Sequence, residues 1–321
     1  MRSAHYERLQ EVLADGNAML RLVERIGRFG IREEEAPPDR AADALPARHR
    51  DAIAAQSGYF QERLFGGSFR AAGVDPFLEN AAFAEAALHL YGRPIVRPVA
   101  VTANLMLPGQ QLALHSDVPE FRGIPRDRDP AWLSIAMHHS GLFDDWRIAT
   151  ATAIAWFGND AQDGELVFYP DGPYGRSVAV PPRHNSAIVF DTDSTFHGVD
   201  RRGDGKTDSP SLEAGMTLRF AGDGAWVLDD GAREMARYAW SELRLSVCWR
   251  AHCFFDADDE RKARENTRDL SRERLLEILS DDLRARGRIG EDPPDAADLA
   301  RTIAVEYVKF PPGAPSAARS S

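Results

Sequence analysis

The stretch Asn104–Asp117, NLMLPGQQLALHSD, reads as a strand, a turn at Pro108-Gly109 and a second strand ending on His115-Ser116-Asp117. Alternate side chains on a strand share a face, so His115 and Asp117 project together. An imidazole and a carboxylate placed this way suit a divalent metal, and one more histidine would complete a 2-His-1-carboxylate set. An isolated His-x-Asp is a common pattern. Its meaning depends on whether the rest of the chain supplies the third ligand.

Short β signals crowd the sequence after it. Ile148–Phe157, Glu165–Tyr169, Ser177–Val180, Ser186–Phe190 and Thr195–Val199 follow one another closely, punctuated by Gly164, Asp171-Gly172-Pro173 and Pro181-Pro182. Strands of this length and spacing predict a jelly roll or small barrel. Val118–Arg147 is long and irregular, with an apolar piece at Trp132–Met137, and is expected to form a lid loop. Met216–Phe220 and Ala225–Leu228 flank Gly222-Asp223-Gly224 as a hairpin. Leu243–Phe255, LRLSVCWRAHCFF, is the last strong strand.

Helical spacing dominates both ends. Leu9, Val12, Leu13, Met19, Leu20, Val23 and Ile26 predict a helix over 4–30, with a break near Gly16 and an end at Gly27 and Gly30. Arg32–Leu45, with Pro37-Pro38, is a linker, and Pro46–Phe65 and Asp75–Tyr91 predict two more helices. Asp258–Arg286 and Asp295–Phe310 predict helices beyond the last strand, and Pro311–Ser321 a disordered tail.

Bulk properties narrow the class. The 321 residues are 43% hydrophobic and 28% charged, with no apolar run long enough to span a bilayer. A net charge of −11 argues against a nucleic-acid footprint. No secretory signal is visible, and Cys248 and Cys253, an odd number of residues apart, point to opposite faces of one strand, which disfavours a mutual disulfide. A cytoplasmic protein with no membrane partner is expected; oligomeric state is left open.

Among the histidines, His197 stands out as the third ligand. It follows the apolar strand and polar turn of SAIVFDTDSTFHGV, where a barrel can fold it back onto His115 and Asp117. His138 and His139 sit in the lid region as packing or substrate-facing residues, and His184 lies in an exposed Pro-Pro-Arg-His-Asn turn. Trp132 and Trp156 are expected in the core.

The ordered elements Asn104-x-x-Leu-Pro-Gly, His115-x-Asp117, Asp163-Gly-Glu-Leu-Val-Phe and Ile188-Val-Phe…His197-Gly-Val together resemble the core of the Fe(II)- and 2-oxoglutarate-dependent dioxygenases, closest to the prolyl-hydroxylase-like branch. The resemblance covers about residues 95–255. It implies an α+β protein with a double-stranded β-helix (jelly-roll, cupin-like) core and helices packed around it. The implied single domain comprises helical support at 1–93, a catalytic core at 94–255 with lid loop 118–147 and insertion 200–241, and helices at 256–310. Implied metal ligands are His115, Asp117 and His197, holding Fe(II) with 2-oxoglutarate as cosubstrate and O2 as oxidant.

Such enzymes anchor the distal carboxylate of 2-oxoglutarate with a basic residue on the strand after the distal histidine. The usual interval falls here on Arg201, Arg202 and Lys206, in a polar Gly-rich loop, so the sequence departs from the pattern. Arg244-Leu245-Ser246 places a guanidinium fork and a hydroxyl on one strand face, suited to one carboxylate. Arg244 with Ser246 is the expected anchor and Arg219 the reserve. Asn104 is a further cofactor-contact candidate. Met106 stands where many relatives carry a tyrosine. Arg122, Arg126 and Arg128 are lid cations.

The resemblance implies hydroxylation of an unactivated C–H bond, with succinate and CO2 as coproducts. Asp117 fits that outcome, because halogenating relatives carry a small residue in its place. A small molecule, such as an amino acid or natural-product intermediate, is the first choice of substrate and a protein side chain the second. A cupin-like metal protein without 2-oxoglutarate chemistry and a non-catalytic binding scaffold are the competing readings.

Overall fold

A computed structural model describes residues 6–31, 59–124, 129–158, 163–172, 174–202, 212–265, 270–292 and 294–309. The strands, in chain order, are β1 Tyr6–Gln10, β2 Arg28–Ile31, β3 Phe60–Gly66, β4 Phe69–Arg70, β5 Ile95–Met106, β6 Leu112–His115, β7 Glu120–Phe121, β8 Arg147–Phe157, β9 Leu166–Phe168, β10 Val178–Val180, β11 Ser186–Phe190, β12 His197–Val199, β13 Thr217–Gly222, β14 Ala225–Asp229, β15 Glu234–Ala239 and β16 Arg244–Phe254. Two sheets result. The larger runs β1-β11-β8-β16-β5-β3-β2-β13-β14-β15, and the smaller runs β10-β9-β12-β6.

The chain switches sheets as it advances. β5 lies in the larger sheet, β6 in the smaller, β8 in the larger, β9 and β10 in the smaller, β11 in the larger, β12 in the smaller and β16 in the larger. That alternation makes a double-stranded β-helix, two facing sheets wound from one chain. The predicted fold class therefore describes the molecule.

Strand alternation sorts the two faces of the larger sheet. Leu245, Val247, Trp249, Ala251 and Cys253 of β16 point outward into the main core with Ala149, Ala151, Ala153 and Ala155 of β8. Small alanines let the helix Ala81–Tyr91 lie close on this face, bringing Phe83 and Trp249 rings to 5.5 Å. The even-numbered residues Arg244, Ser246, Cys248, Arg250 and His252 instead line a cavity between the sheets. Cys248 and Cys253 are accordingly on opposite faces and both free.

Several elements differ from the sequence-based expectation. Tyr6–Gln10 is a strand rather than the start of a helix, because it pairs antiparallel with β11, Arg8 opposite Ile188. The helix begins only at Asn17 and ends at Ile26, where Gly27 (φ 71°) donates to Val23. Asp75–Tyr91 is split, because Asn80 caps a new helix, its Oδ1 accepting from Ala82 and Phe83 and its Nδ2 donating to the Val12 carbonyl. The described part of the helix expected over Pro46–Phe65 is β3. The N-terminal third is thus not a purely helical support.

The expected lid loop 118–147 is largely ordered structure. Trp132, Leu133, Ala136 and Met137 recur at helical spacing on Ala131–Ser140, and they bury against Leu275, Leu279 and Leu283 of the helix Arg272–Ala285 and Ile303, Ala304 and Tyr307 of the helix Ala296–Tyr307. The long C-terminal helix is two, Ala257–Arg264 and Arg272–Ala285. The hairpin expected in 200–241 is present as β13–β14, and with β15 it extends the larger sheet beyond β2. Arg126, Arg128, Lys206, the linker Arg32–Leu45 and the tail lie outside the described residues. No helix among the described residues is long and apolar enough to cross a membrane.

Candidate metal centre

The smaller sheet brings the three candidate ligands together. His115 ends β6 and lies directly opposite His197 at the start of β12, their ring centroids 4.5 Å apart. The close approach requires Gly198, since a Cβ there would stand 2.6 Å from the Leu112 carbonyl oxygen. Asp117 sits just past the end of β6, held by its own N–H donating to the Thr192 carbonyl (2.9 Å). One donor atom from each of His115, Asp117 and His197 lies within 4.8 Å of the others.

Hydrogen bonds set the tautomers. Each imidazole places Nδ1 against a backbone carbonyl two residues before it: His115 on Ala113 (2.8 Å) and His197 on Thr195 (2.9 Å). A carbonyl only accepts, so Nδ1 must carry the proton and Nε2 the lone pair that a metal needs. Both Nε2 atoms stand 3.9 Å from the same oxygen, Oδ1 of Asp117. Burial pushes the Asp117 carboxyl up, but the Arg250 guanidinium leads the groups that outweigh it, with a hydrogen bond from Thr192 adding to them, and the carboxyl is held well below the usual carboxylate range. The donor set of two imidazoles, with Nε2 of each toward the carboxylate, and one carboxylate fits a divalent transition metal with open positions.

At the other end of the cavity, Arg244 is buried, and its Nε donates to the Gly164 carbonyl (2.9 Å). Nη1 lies 3.4 Å from the Ser246 hydroxyl and 3.7 Å from Met106 Sδ. Nη2 has no hydrogen-bond partner among the described residues. Burial and the neighbouring Arg202 lower the guanidinium to about 10. A buried cation with an unmet donor is costly, and an incoming carboxylate is the group that would satisfy it. Gly164, at φ 70°, makes room, because a Cβ there would press on both Arg202 and Arg244.

Other candidates take definite places. Asn104 lines the same cavity, accepting from Gln61 (2.7 Å) and donating to Cys248 Sγ (3.3 Å). Arg219 does not: it lies on β13 in the outer meander, its side chain 49% exposed and 3.6 Å from Asp229. His138 and His139 line a separate hollow beside Arg147. His184 is partly buried, its Nδ1 accepting from the Gly158 N–H, rather than exposed in its turn. Trp132 and Trp156 are both buried.

Sequence reasoning passed over the groups behind the metal ligands. Arg250 faces the cavity two alternations beyond Ser246 on β16, with Nη1 3.8 Å from Asp117 and Nη2 3.2 Å from the fully buried Asp193. Asp191, in the same turn, takes two bonds from Arg147 (2.9 and 2.8 Å). The even-numbered alternation of Arg244, Ser246 and Arg250 was the available signal. Arg202, one of the three basic residues at the usual anchor interval, is buried near Arg244 and donates to the Met106 and Glu242 carbonyls.

The cavity these groups share measures about 350 Å³. Met106, Leu112, Ile154, Leu166 and Val199 give it apolar walls, while Gln61, Thr102, Thr152 and His252 give polar ones. A double-stranded β-helix holding a His-x-Asp…His cluster and, across one cavity, a buried guanidinium is the class that fold and site define.

No protein-family model and no curated protein matches the sequence. Solved structures similar to the chain include a prolyl hydroxylase from Trichoplax adhaerens in complex with a hypoxia inducible factor oxygen degradation domain peptide fragment, at TM-score 0.45 and 10% identity, covering 82% of this chain and 87% of that one. A Pseudomonas putida prolyl-4-hydroxylase is similar at TM-score 0.38 and 16% identity, covering 78% and 94%. HygX from Streptomyces hygroscopicus, with nickel, 2-oxoglutarate and hygromycin B bound, is similar at TM-score 0.41 and 9% identity, covering 80% and 90%. The strand order and the His–Asp–His cluster stand independently of these likenesses.

Proposed function

We propose that the chain is an Fe(II)- and 2-oxoglutarate-dependent oxygenase that hydroxylates a small molecule. The observation that carries this reading is that one cavity holds three converged metal donors and a buried Arg244 whose Nη2 has no hydrogen-bond partner among the described residues. A dicarboxylate cosubstrate bridging the two would satisfy both.

In this reading His115 Nε2, His197 Nε2 and Asp117 Oδ1 would hold the iron, and the carbonyls of Ala113 and Thr195 keep Nδ1 of each imidazole occupied and Nε2 toward Asp117. Fe(II) with 2-oxoglutarate and O2 supplies the oxidation of an unactivated C–H bond, with succinate and CO2 as coproducts. Arg244 and the Ser246 hydroxyl would bind the distal carboxylate, and the Gly164 carbonyl fixes the guanidinium by accepting from its Nε. Leu112, Ile154, Leu166 and Val199 exclude water around it. Gln61, Thr102, Thr152 and His252, polar residues of the same cavity, orient a hydrogen-bonding substrate. The modest cavity favours a small molecule over a folded protein.

The test is an anaerobic Fe(II) titration, with and without 2-oxoglutarate, read at the weak visible charge-transfer band of the chelate. A band that appears only when both are present supports the proposal. Metal binding without a band would instead favour a cupin-like metal protein with other chemistry, and no metal binding would sink both.

A further inference from the structure

The two oxygens of Asp117 face different partners. Oδ1 is 3.9 Å from both imidazole Nε2 atoms, whereas Oδ2 is 3.8 Å from Arg250 Nη1. The Thr192 hydroxyl also hydrogen-bonds the carboxylate. We propose that Arg250 is a positioning residue that reserves Oδ2 of Asp117, so that the carboxylate offers one oxygen only to a bound divalent cation. The inference rests on the metal-binding reading above.

Arg250 is itself held in place. Its Nη2 lies 3.2 Å from Asp193 Oδ1, and the Asp193 side chain is fully buried, with Arg147 Nη2 3.8 Å from its other oxygen. Asp191 in the same turn grips Arg147 and accepts from the Ser194 hydroxyl (2.7 Å). The Asp191–Ser194 turn is thereby wedged between two guanidiniums from β8 and β16. Swinging Arg250 away would take the nearer of two guanidiniums from the buried Asp193 and leave it only Arg147 at 3.8 Å, which is costly. The consequence is one of coordination number. A six-coordinate cation with three protein donors keeps three positions for small ligands, and a chelating carboxylate would take one of them.

The experiment uses the whole chain with Co(II) as probe, first alone and then with 2-oxoglutarate, read by visible absorption and by the dissociation constant of each. Arg250→Met is expected to bind Co(II) at least as tightly as the parent, since a nearby cation is gone and a second oxygen is released. Its metal-only spectrum should change, and its affinity for 2-oxoglutarate should fall about 10-fold or more, the usual scale for losing an outer partner of a ligand. Arg250→Lys, which keeps the charge, should restore part of both. Should Arg250→Met not fold, Asp193→Asn serves instead, with the same changes expected at smaller size.

A folded Arg250→Met protein with the parental metal-only spectrum and 2-oxoglutarate affinity within twofold overturns the inference. Loss of Co(II) binding in a folded variant also overturns it, because reserving an oxygen does not strengthen the metal site. A parent chain that takes up no Co(II) overturns the metal-site reading itself, which separates the two failures.

Discussion

His115 and His197 face each other across two antiparallel strands, ring centroids 4.5 Å apart, and each gives its Nδ1 proton to the carbonyl two residues before it. The repetition means that the backbone of both strands, not a remote side chain, holds the rings with Nε2 toward Asp117. A metal site built this way should be preformed. Substituting His197→Ala removes one of three donors and is expected to weaken Co(II) or Fe(II) binding by at least 100-fold. In the parent chain, metal at 100 times its dissociation constant should stabilise the fold by about 2.7 kcal/mol. Thermal unfolding under anaerobic conditions, with and without metal, checks both: a clear rise in midpoint for the parent and, at the same metal concentration, a stabilisation of about 0.4 kcal/mol or less for His197→Ala.

Arg244 and Arg219 separate by environment. Arg244 is buried with a donor unmet among the described residues, whereas Arg219 is half exposed beside Asp229. Replacing Arg244 with Met should weaken 2-oxoglutarate binding by about 10- to 100-fold, the range for a charge-assisted bond worth roughly 1.5–3 kcal/mol. Metal affinity should stay within a few fold. Arg219→Met should leave both unchanged. Equal effects from the two substitutions, read by the charge-transfer band against cosubstrate concentration, would remove Arg244 as the anchor.

What is legible in the sequence follows from how local each feature is. His115 and Asp117 can be paired by eye because strand alternation is a short-range rule, and Arg244 with Ser246 for the same reason. Tyr6–Gln10 cannot: its residues fit a helix, and only distant β11 makes it a strand. The apolar spacing of Trp132, Leu133, Ala136 and Met137 was present in the sequence, yet the helices that bury it come from the far C-terminus. Arg250 lies on the same row as Arg244, but its role appears only when Asp117 and Asp193 arrive from two other parts of the chain.

Gly198 couples the fold to the site. A Cβ there would meet the Leu112 carbonyl oxygen at 2.6 Å, and backbone cannot move aside without parting β6 from β12. Gly198→Ala is expected to cost about 1–3 kcal/mol, the range for overpacking, and to weaken metal binding at least 10-fold. Gly30→Ala on β2, where nothing lies within 4 Å of the added Cβ, is the matched control and should be nearly neutral. Urea unfolding midpoints and Co(II) titration measure the two effects. Parental values for Gly198→Ala would show that the strands have slack at the metal site.

Acid sensitivity should trace in part to His139. Burial, and then Lys309, lower its imidazole to about 4, and its Nδ1 accepts the Lys309 N–H (3.1 Å), a bond only the neutral ring can make. The unfolded chain binds a proton here near its ordinary value of about 6.5, while the folded chain resists until about 4. The unfolded state therefore holds more protons between these values. The stability contribution is full above pH ~6.5 and is lost as pH falls, by about 2 kcal/mol at pH ~5. His139→Gln, which keeps an acceptor but cannot titrate, should flatten that loss by a similar amount. Comparing urea midpoints of parent and variant at neutral pH and near pH ~5 tests it, and an unchanged difference between the two pH values would place the acid sensitivity elsewhere.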